Sequence, residues 1–304
     1  MVFSLRIELG KVARHSAFRS DDMSIWGGSL VKGGDGLYHM LYSRWPKALG
    51  WAWVTHSEIA HAVSESPFGP FRFRNVVLPP RGAEFWDGLC THNPNLHIFE
   101  GRYYLYYMGN TGDGRAVGEP GRDQLNWLHR NNQRIGVAVA DTPDGPWQRL
   151  DTPVLGVSPD RSAPDSLMTS NPAVCQRPDG GYLMIYKAVG HEYDLPFGGP
   201  VVHCVATSDS PLGPFVKGGD PVFTVAGDRF PAEDPYIWYQ SGMYRALVKR
   251  ITHTEGCGRE FSLVHYESED GFVARGWSIH NDANAYHGTL RGHAEGHHAR
   301  SENK

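Results

Sequence analysis

The sequence predicts an all-β protein, a β-propeller of four-stranded antiparallel blades. Three observations point there. One hairpin signature recurs along the chain, a second turn signature recurs after it, and turn formers are abundant. Gly 36 and Pro 21 among 304 residues favour short strands over long helices. The remaining composition is globular, with 40% hydrophobic and 12% aromatic residues available for a core.

The hairpin signature is Gly-x-Tyr-x-apolar-x-Tyr. It occurs at Gly36, Tyr38, Met40 and Tyr42, then at Gly101, Tyr103, Leu105 and Tyr107. It returns at Gly180, Tyr182, Met184 and Tyr186, and more weakly at Gly242, Tyr244, Ala246 and Val248. Aromatic and apolar alternation after a glycine turn marks the second strand of a hairpin. Eight residues before three of these glycines stand Gly28, Asn93 and Asp234, and nine before Gly180 stands Asn171. The residues that follow are Ser29, Pro94, Pro235 and Pro172. Proline has no N–H to donate and is tolerated where a strand begins. Each unit therefore opens on a polar-Pro pair, or its variant, and an apolar first strand.

Third strands follow over 59–63, 135–139, 201–205 and 263–266. Three of them lead into a shared turn: Ser66-Pro67-Phe68-Gly69-Pro70, Thr142-Pro143-Asp144-Gly145-Pro146 and Ser210-Pro211-Leu212-Gly213-Pro214. The fourth copy is degraded to Glu269-Asp270-Gly271. The aromatic after each turn, Phe71, Trp147, Phe215 or Phe272, opens a short outer strand. Repeated four-stranded units are the blades of a propeller, and each buries its faces only by stacking on its neighbours. The propeller is assigned to residues 1–277, with at most a strand or two before residue 21. Residues 278–304, rich in His, Gly, Asn and Ala, read as a disordered or non-native tail.

Other classes find little support. A net charge of −4 offers no basic footprint for nucleic acid. Cys90, Cys175, Cys204 and Cys257 lack metal-ligand spacing and read as small buried side chains. No apolar run approaches the roughly 18 residues of a membrane span. Residues 1–10 lack the apolar core of a signal peptide. As written, the chain is expected in the cytoplasm; a removed leader would place it in the periplasm or outside the cell. The sequence does not set its oligomeric state.

Topology then says where chemistry belongs. In an up-and-down blade, the start of strand one, the link between strands two and three, and the link between blades share one end. Long loops there are where function concentrates. Two adjacent carboxylates, Glu233 and Asp234, sit at the start of one first strand. Asp22, Asp87 and Asp165 each lie six residues before Gly28, Asn93 and Asn171. Such a ring could surround one channel, or each Asp could fix the turn into its blade. The loops after the second strands add Arg44, Trp53, His56, Arg130, Arg134 and Lys187, and His92 stands beside Asn93. Flat aromatics among many hydrogen-bonding groups suit a sugar, with its apolar faces and hydroxyl edges. Paired carboxylates suit glycoside hydrolysis, where one protonates the leaving oxygen and the other activates water. Crowding of carboxylates would raise the pKa of one of them into a usable range.

The stretch Glu233-Asp234-Pro235-Tyr236-Ile237 resembles the general-acid strand of the five-bladed propeller glycosidases, notably glycoside hydrolase family 43. The stretches Trp26-Gly27-Gly28-Ser29, 53–61 and 129–134 look like family-43-like proteins labelled sucrases. The resemblance implies five blades, of which the fifth is incomplete in this chain. It also implies Glu233 as general acid. The family's general base is an Asp before Pro in the first blade, where this chain has Gly28-Ser29. Its charge-tuning Asp lies in the third blade, where this chain has Asn171-Pro172. The expectation is a glycoside hydrolase, exo-acting and inverting, on a poly- or oligosaccharide. Glu233 is then the acid, Asp22 or Asp87 the base, and Asp165 the tuning group. Asp234, His92, Asn93, Asn171, Arg44, Trp53, His56, Arg130, Arg134 and Lys187 would hold the sugar. No cofactor is required, and the channel could accept a structural calcium or sodium ion. The alternatives are a phosphorylase, with Arg115, Arg122, Arg130 and Arg134 clamping phosphate, and a sugar-binding propeller without catalysis.

Overall fold

The computed structural model describes residues 16–112, 125–254, 258–272 and 277–279. They form four antiparallel sheets of four strands each, in simple up-and-down order. Blade one is β1 (Met23–Lys32), β2 (Tyr38–Pro46), β3 (Glu58–Ser64) and β4 (Arg72–Leu78). Blade two is β5 (Cys90–Phe99), β6 (Arg102–Asn110), β7 (Arg134–Ala140) and β8 (Gln148–Arg149). Blade three is β9 (Met168–Gln176), β10 (Tyr182–Val189), β11 (Val201–Ser208) and β12 (Val216–Val222). Blade four is β13 (Ala232–Gln240), β14 (Met243–Thr254), β15 (Gly258–Ser268) and β16 (Ser278–Ile279). Two short helices, α1 (Trp53–His56) and α2 (Trp127–Asn131), stand in the loops after β2 and β6.

The repeats place these elements. The Tyr-rich second strands sit mid-blade and are buried, as Tyr106, Tyr107 and Tyr186 show. The three intact Pro-Gly-Pro turns close alike, with Gly69, Gly145 and Gly213 N–H donating to the carbonyls of Ser66, Thr142 and Ser210 at 3.0–3.1 Å. Apolar residues of neighbouring blades interleave. Leu41, Ile59 and Leu78 meet Leu96 and Leu105 between blades one and two. Tyr106 and Val137 meet Met184 and Val202 between blades two and three. Ile185 and Val205 meet Ile237 and Val264 between blades three and four.

Two expectations are corrected here. The described residues make four blades, and the fifth that the resemblance implies is not among them; residues 1–15 lie outside the described set. The propeller also runs past residue 277. Trp277 is buried, 5.3 Å from Phe223, and this anchor returns the chain so that Ser278–Ile279 pairs with Tyr266 and Glu267. Residues 280–304 lie outside the described set.

All four first strands carry the same irregularity. The ladder skips between Trp26 and Ser29, His92 and Asn95, and Glu233 and Tyr236. In β9 it skips opposite Tyr186, at Asn171-Pro172. The first skipped residue is left-handed in each blade: Gly27 (φ 53°), Asn93 (49°), Asn171 (44°) and Asp234 (50°). Gly, Asn and Asp are the residues that tolerate this conformation, and the proline after it leaves no N–H stranded. Bulges of this kind re-aim side chains and gather near active sites. They also correct the register read from sequence. The turn over 33–37 is one residue longer than the turn over 99–102, so the counterpart of Asn93 is Gly27, not Gly28.

Candidate active site

The first strands of all four blades line a central shaft of about 740 Å³, where Asn93, Asn95, Asn171 and Asp234 face one another. A second cavity of about 590 Å³ shares Trp26, Asn93 and Asn171 with the shaft and carries the charged groups. The bulges build both. The residue before each left-handed position is Trp26, His92, Ser170 or Glu233, and all but Ser170 line the second cavity. Across the hairpin from these four stand Ser43, Met108, Lys187 and Lys249. The two lysines line it as well.

Glu233 is therefore gripped by two ammonium groups. Lys249, its cross-strand partner, lies 2.6 Å from Oε2, and Lys187 of blade three lies 3.3 Å from Oε1. Burial alone would raise the pKa of this carboxyl. Lys187 and Lys249 outweigh burial and hold it at about 2. The sequence expectation of a raised value rested on crowded carboxylates, and the neighbours are cations instead. Lys249 also reaches Asp234 Oδ2 at 3.1 Å, while Asn171 Nδ2 donates to Asp234 Oδ1 at 2.6 Å.

Aromatic rings wall the cavity. Trp26, Trp45, Trp51, Trp53 and Trp127 line it together with Phe230 and Phe261. Helix α1 lays Trp53 on His92, ring centres 4.9 Å apart. Ser57 Oγ lies 2.6 Å from His92 Nδ1 and fixes that ring. Burial, and then the Lys187 charge, push His92 down to about 3, so its imidazole is neutral. Gln133, also on the wall, is buried and its Oε1 has no hydrogen-bond partner among the described residues.

Of the residues singled out from sequence, Glu233, His92, Asn93, Asn171, Trp53, Arg130 and Lys187 line the second cavity, and Asp234 lines the shaft. Six line neither. Arg44 is paired with Glu58 at 2.8 Å. Arg134 donates to the backbone carbonyls of Asn131, Gln133 and Leu167. His56 contacts Thr55 at 2.8 Å. Asp22 is exposed and accepts from Ser20 at 2.6 Å.

Asp87 and Asp165 are buried in structural clasps. Tyr107 O–H donates to Asp87 at 2.6 Å, and Arg81 and Arg149 lie at 2.6 and 3.5 Å. Tyr186 O–H donates to Asp165 at 2.9 Å, with Lys217 at 2.5 Å. The tyrosines occupy one repeat position, so the constant offset of the acids fastens each incoming link to its blade. With the register corrected, the acids at that offset are Asp21, Asp87, Asp165 and Asp228; Asp228 accepts from the Phe230 N–H at 2.9 Å.

Sequence reasoning missed Lys249 and Phe261. Lys249 had a signal: it stands seven residues after Gly242, as Lys187 stands after Gly180. Cys90, Cys175 and Cys204 are buried free thiols, as expected, while Cys257, Arg115 and Arg122 lie outside the described residues. The shaft does not suit calcium. That ion takes 6–8 oxygens with several carboxylates among them, and here only Asp234 contributes one, already held by Asn171 and Lys249. Among the described residues no helix is long and apolar enough to cross a membrane.

No family model matches the chain, and no curated protein matches it. Solved structures do. Zg3597, a family 117 glycoside hydrolase of the marine bacterium Zobellia galactanivorans, is 20% identical with a TM-score of 0.63, covering 89% of this chain and 74% of its own. BT0996, solved as a complex with RGII, is 18% identical with a TM-score of 0.66, covering 88% and 76%. An endo-arabinase from Bacteroides thetaiotaomicron is 14% identical with a TM-score of 0.55, covering 87% and 81%. At these identities the likeness shows the fold. The chain is a β-propeller of the kind found in glycoside hydrolases.

Proposed function

We propose that this protein is a glycoside hydrolase acting on a poly- or oligosaccharide in the cavity that holds Glu233. One observation carries the reading: a buried carboxylate on the wall of an aromatic-lined cavity, in a propeller fold shared with glycoside hydrolases. Tryptophan faces meet the apolar faces of a sugar ring, and His92, Asn93, Gln133 and Asn171 meet its hydroxyls. A cavity of about 590 Å³ has the size of a small-ligand site rather than a long groove, which favours removal of a terminal sugar.

Glu233 is the reacting carboxylate. In the free protein it is ionised. A sugar that draws Lys187 or Lys249 away leaves it buried with less counter-charge, and desolvation then lifts it toward a working general acid. Asp234 does not complete an inverting pair, because Lys249 touches both carboxylates and so keeps them closer than the roughly 6.5–9.5 Å inversion needs. Inversion would take its base from elsewhere in the chain.

A specific observation favours a second reading. Trp26, His92 and Ser170 occupy the bulge positions equivalent to Glu233, so no other Glu lines the cavity among the described residues. A propeller that binds sugar without cleaving it would look like this. The test is incubation with arabinan, RGII fragments and other plant and algal polysaccharides, with and without phosphate, scored for released sugar. Hydrolysis is expected, and Glu233→Gln should slow it by about 10²-fold or more. Sugar 1-phosphate formed only with phosphate would establish phosphorolysis. Saccharide binding with no product would establish the non-catalytic reading.

A further inference from the structure

The charges on the cavity wall do not balance. Arg130, Lys187 and Lys249 are set against one carboxylate, Glu233. His92 adds nothing, since it is neutral. Both lysines are paired with Glu233, which leaves the cavity with an excess of positive charge.

Arg130 is the unmatched group. Among the described residues it has no carboxylate partner. Its Nη1 donates to Asn131 Oδ1 at 2.9 Å and to the Phe197 carbonyl at 3.0 Å, and its guanidinium lies 5.5 Å from the Trp127 ring. Burial without a counter-ion pulls its pKa down to about 10. A buried cation with no partner is costly, and the cost falls when a ligand brings the missing charge. A guanidinium pairs with planar or tetrahedral oxyanions through two parallel N–H bonds. On the same wall, the orphaned Gln133 Oε1 is an acceptor awaiting an O–H donor.

We infer that the cavity takes an acidic saccharide, a sugar bearing a carboxylate or a sulfate ester, with its anion on Arg130 and a hydroxyl on Gln133. The inference rests on the reading of the cavity as a sugar site and adds the substrate class. It also joins recognition to chemistry. An anion that shares the lysines weakens their hold on Glu233, so the correct ligand is the one that leaves Glu233 less strongly ionised. A neutral sugar has no charge with which to do this.

The test is equilibrium binding of the full chain to galacturonate oligosaccharides, their carboxyl-reduced neutral counterparts, and sulfated galactose oligosaccharides. At least one acidic ligand is expected to bind roughly tenfold or more tighter than the neutral form. That advantage should shrink as salt rises. The acidic series that binds identifies the anion as carboxylate or sulfate. Arg130→Gln should remove the advantage and leave neutral binding in place, while Arg130→Lys should restore part of it. Neutral ligands binding as tightly as every acidic one would overturn the inference and leave the sugar-site reading standing. No binding by any saccharide would overturn both. Loss of neutral and acidic binding alike in Arg130→Gln, with its fold intact by circular dichroism, would remove Arg130 from anion recognition and overturn the assignment.

Discussion

Lys249 stands directly across the β13–β14 ladder from Glu233, its Nζ 2.6 Å from Oε2, and reaches past the bulge to Asp234 at 3.1 Å. One ammonium thus governs both carboxylates of the Glu-Asp-Pro segment. The bulge makes this reach possible. It turns Asp234 toward the shaft while Glu233 stays on the cavity wall, and a single cross-strand lysine can touch both.

Replacing that lysine should release Glu233. With Lys249→Met one of two counter-charges is gone and the burial remains, so the carboxyl should titrate well above its present value of about 2. Carbon-detected NMR of labelled glutamate would follow it. The sign for stability is definite. The folded value lies below the unfolded 4.5, so the ion pairs stabilise the protein above pH 4.5, and that contribution is lost as pH falls toward 2. An unchanged midpoint in the variant would mean that Lys187 alone holds the charge.

The Asp87 clasp should matter for folding rather than for turnover. Asp87 is fully buried and satisfied by Arg81, Arg149 and Tyr107. Removing one partner of a buried ion pair strands the other and costs about 3–5 kcal/mol. Asp87→Ala should therefore lower the urea midpoint sharply, while activity per folded molecule stays near that of the parent. A folded, stable Asp87→Ala protein with turnover reduced 10²-fold or more would restore Asp87 to the mechanism.

How far the sequence reached can be judged from these residues. The blades were legible because Tyr107 and Tyr186 recur at one place in a strand of period two, and that period fixes the face of each side chain. The acids at six residues from Asn93 and Asn171 were legible as a repeat, but not in direction. A link has no period, so spacing located Asp87 and Asp165 along the chain and could not say that their carboxylates turn toward tyrosines. The slip from Gly27 to Gly28 has the same origin, one extra residue in the turn over 33–37. Lys249 was hidden by the weakness of the fourth repeat, where Val248 replaces the tyrosine that marks the strand elsewhere.

Three buried histidines should make the fold sensitive to mild acid. Burial lowers His97 to about 4, and lowers His92 and His203, with help from the Lys187 charge, to about 3. Each lies below its unfolded value of 6.5, so the unfolded chain takes up protons first. Stability is full above pH 6.5 and falls as pH drops from 6.5 toward 4 and then 3, by up to about 1.4 kcal/mol per pH unit for each histidine. Urea midpoints at pH 7.5 and pH 5 check this. His97→Gln should flatten the slope, because it removes one titrating group while keeping a donor for Asn95. A midpoint that does not move between those pH values would contradict the burial of these rings.

Trp53 separates sugar recognition from folding. It belongs to a four-residue helix, stacks on His92 at 4.9 Å and lines the cavity. Trp238 is also stacked on a histidine, His265 at 5.8 Å, but lines neither cavity. Both truncations to Ala remove an aromatic contact worth about 0.5–1.5 kcal/mol beyond burial, so both should lower thermal stability. Only Trp53→Ala also removes a face against which a sugar ring can lie, and it should weaken saccharide binding by about tenfold. Equal weakening by both variants would mean that the platform acts through the general stability of the propeller. Loss confined to Trp53→Ala would set the sugar against the Trp53–His92 stack, next to Asn93 and within the same cavity as Glu233.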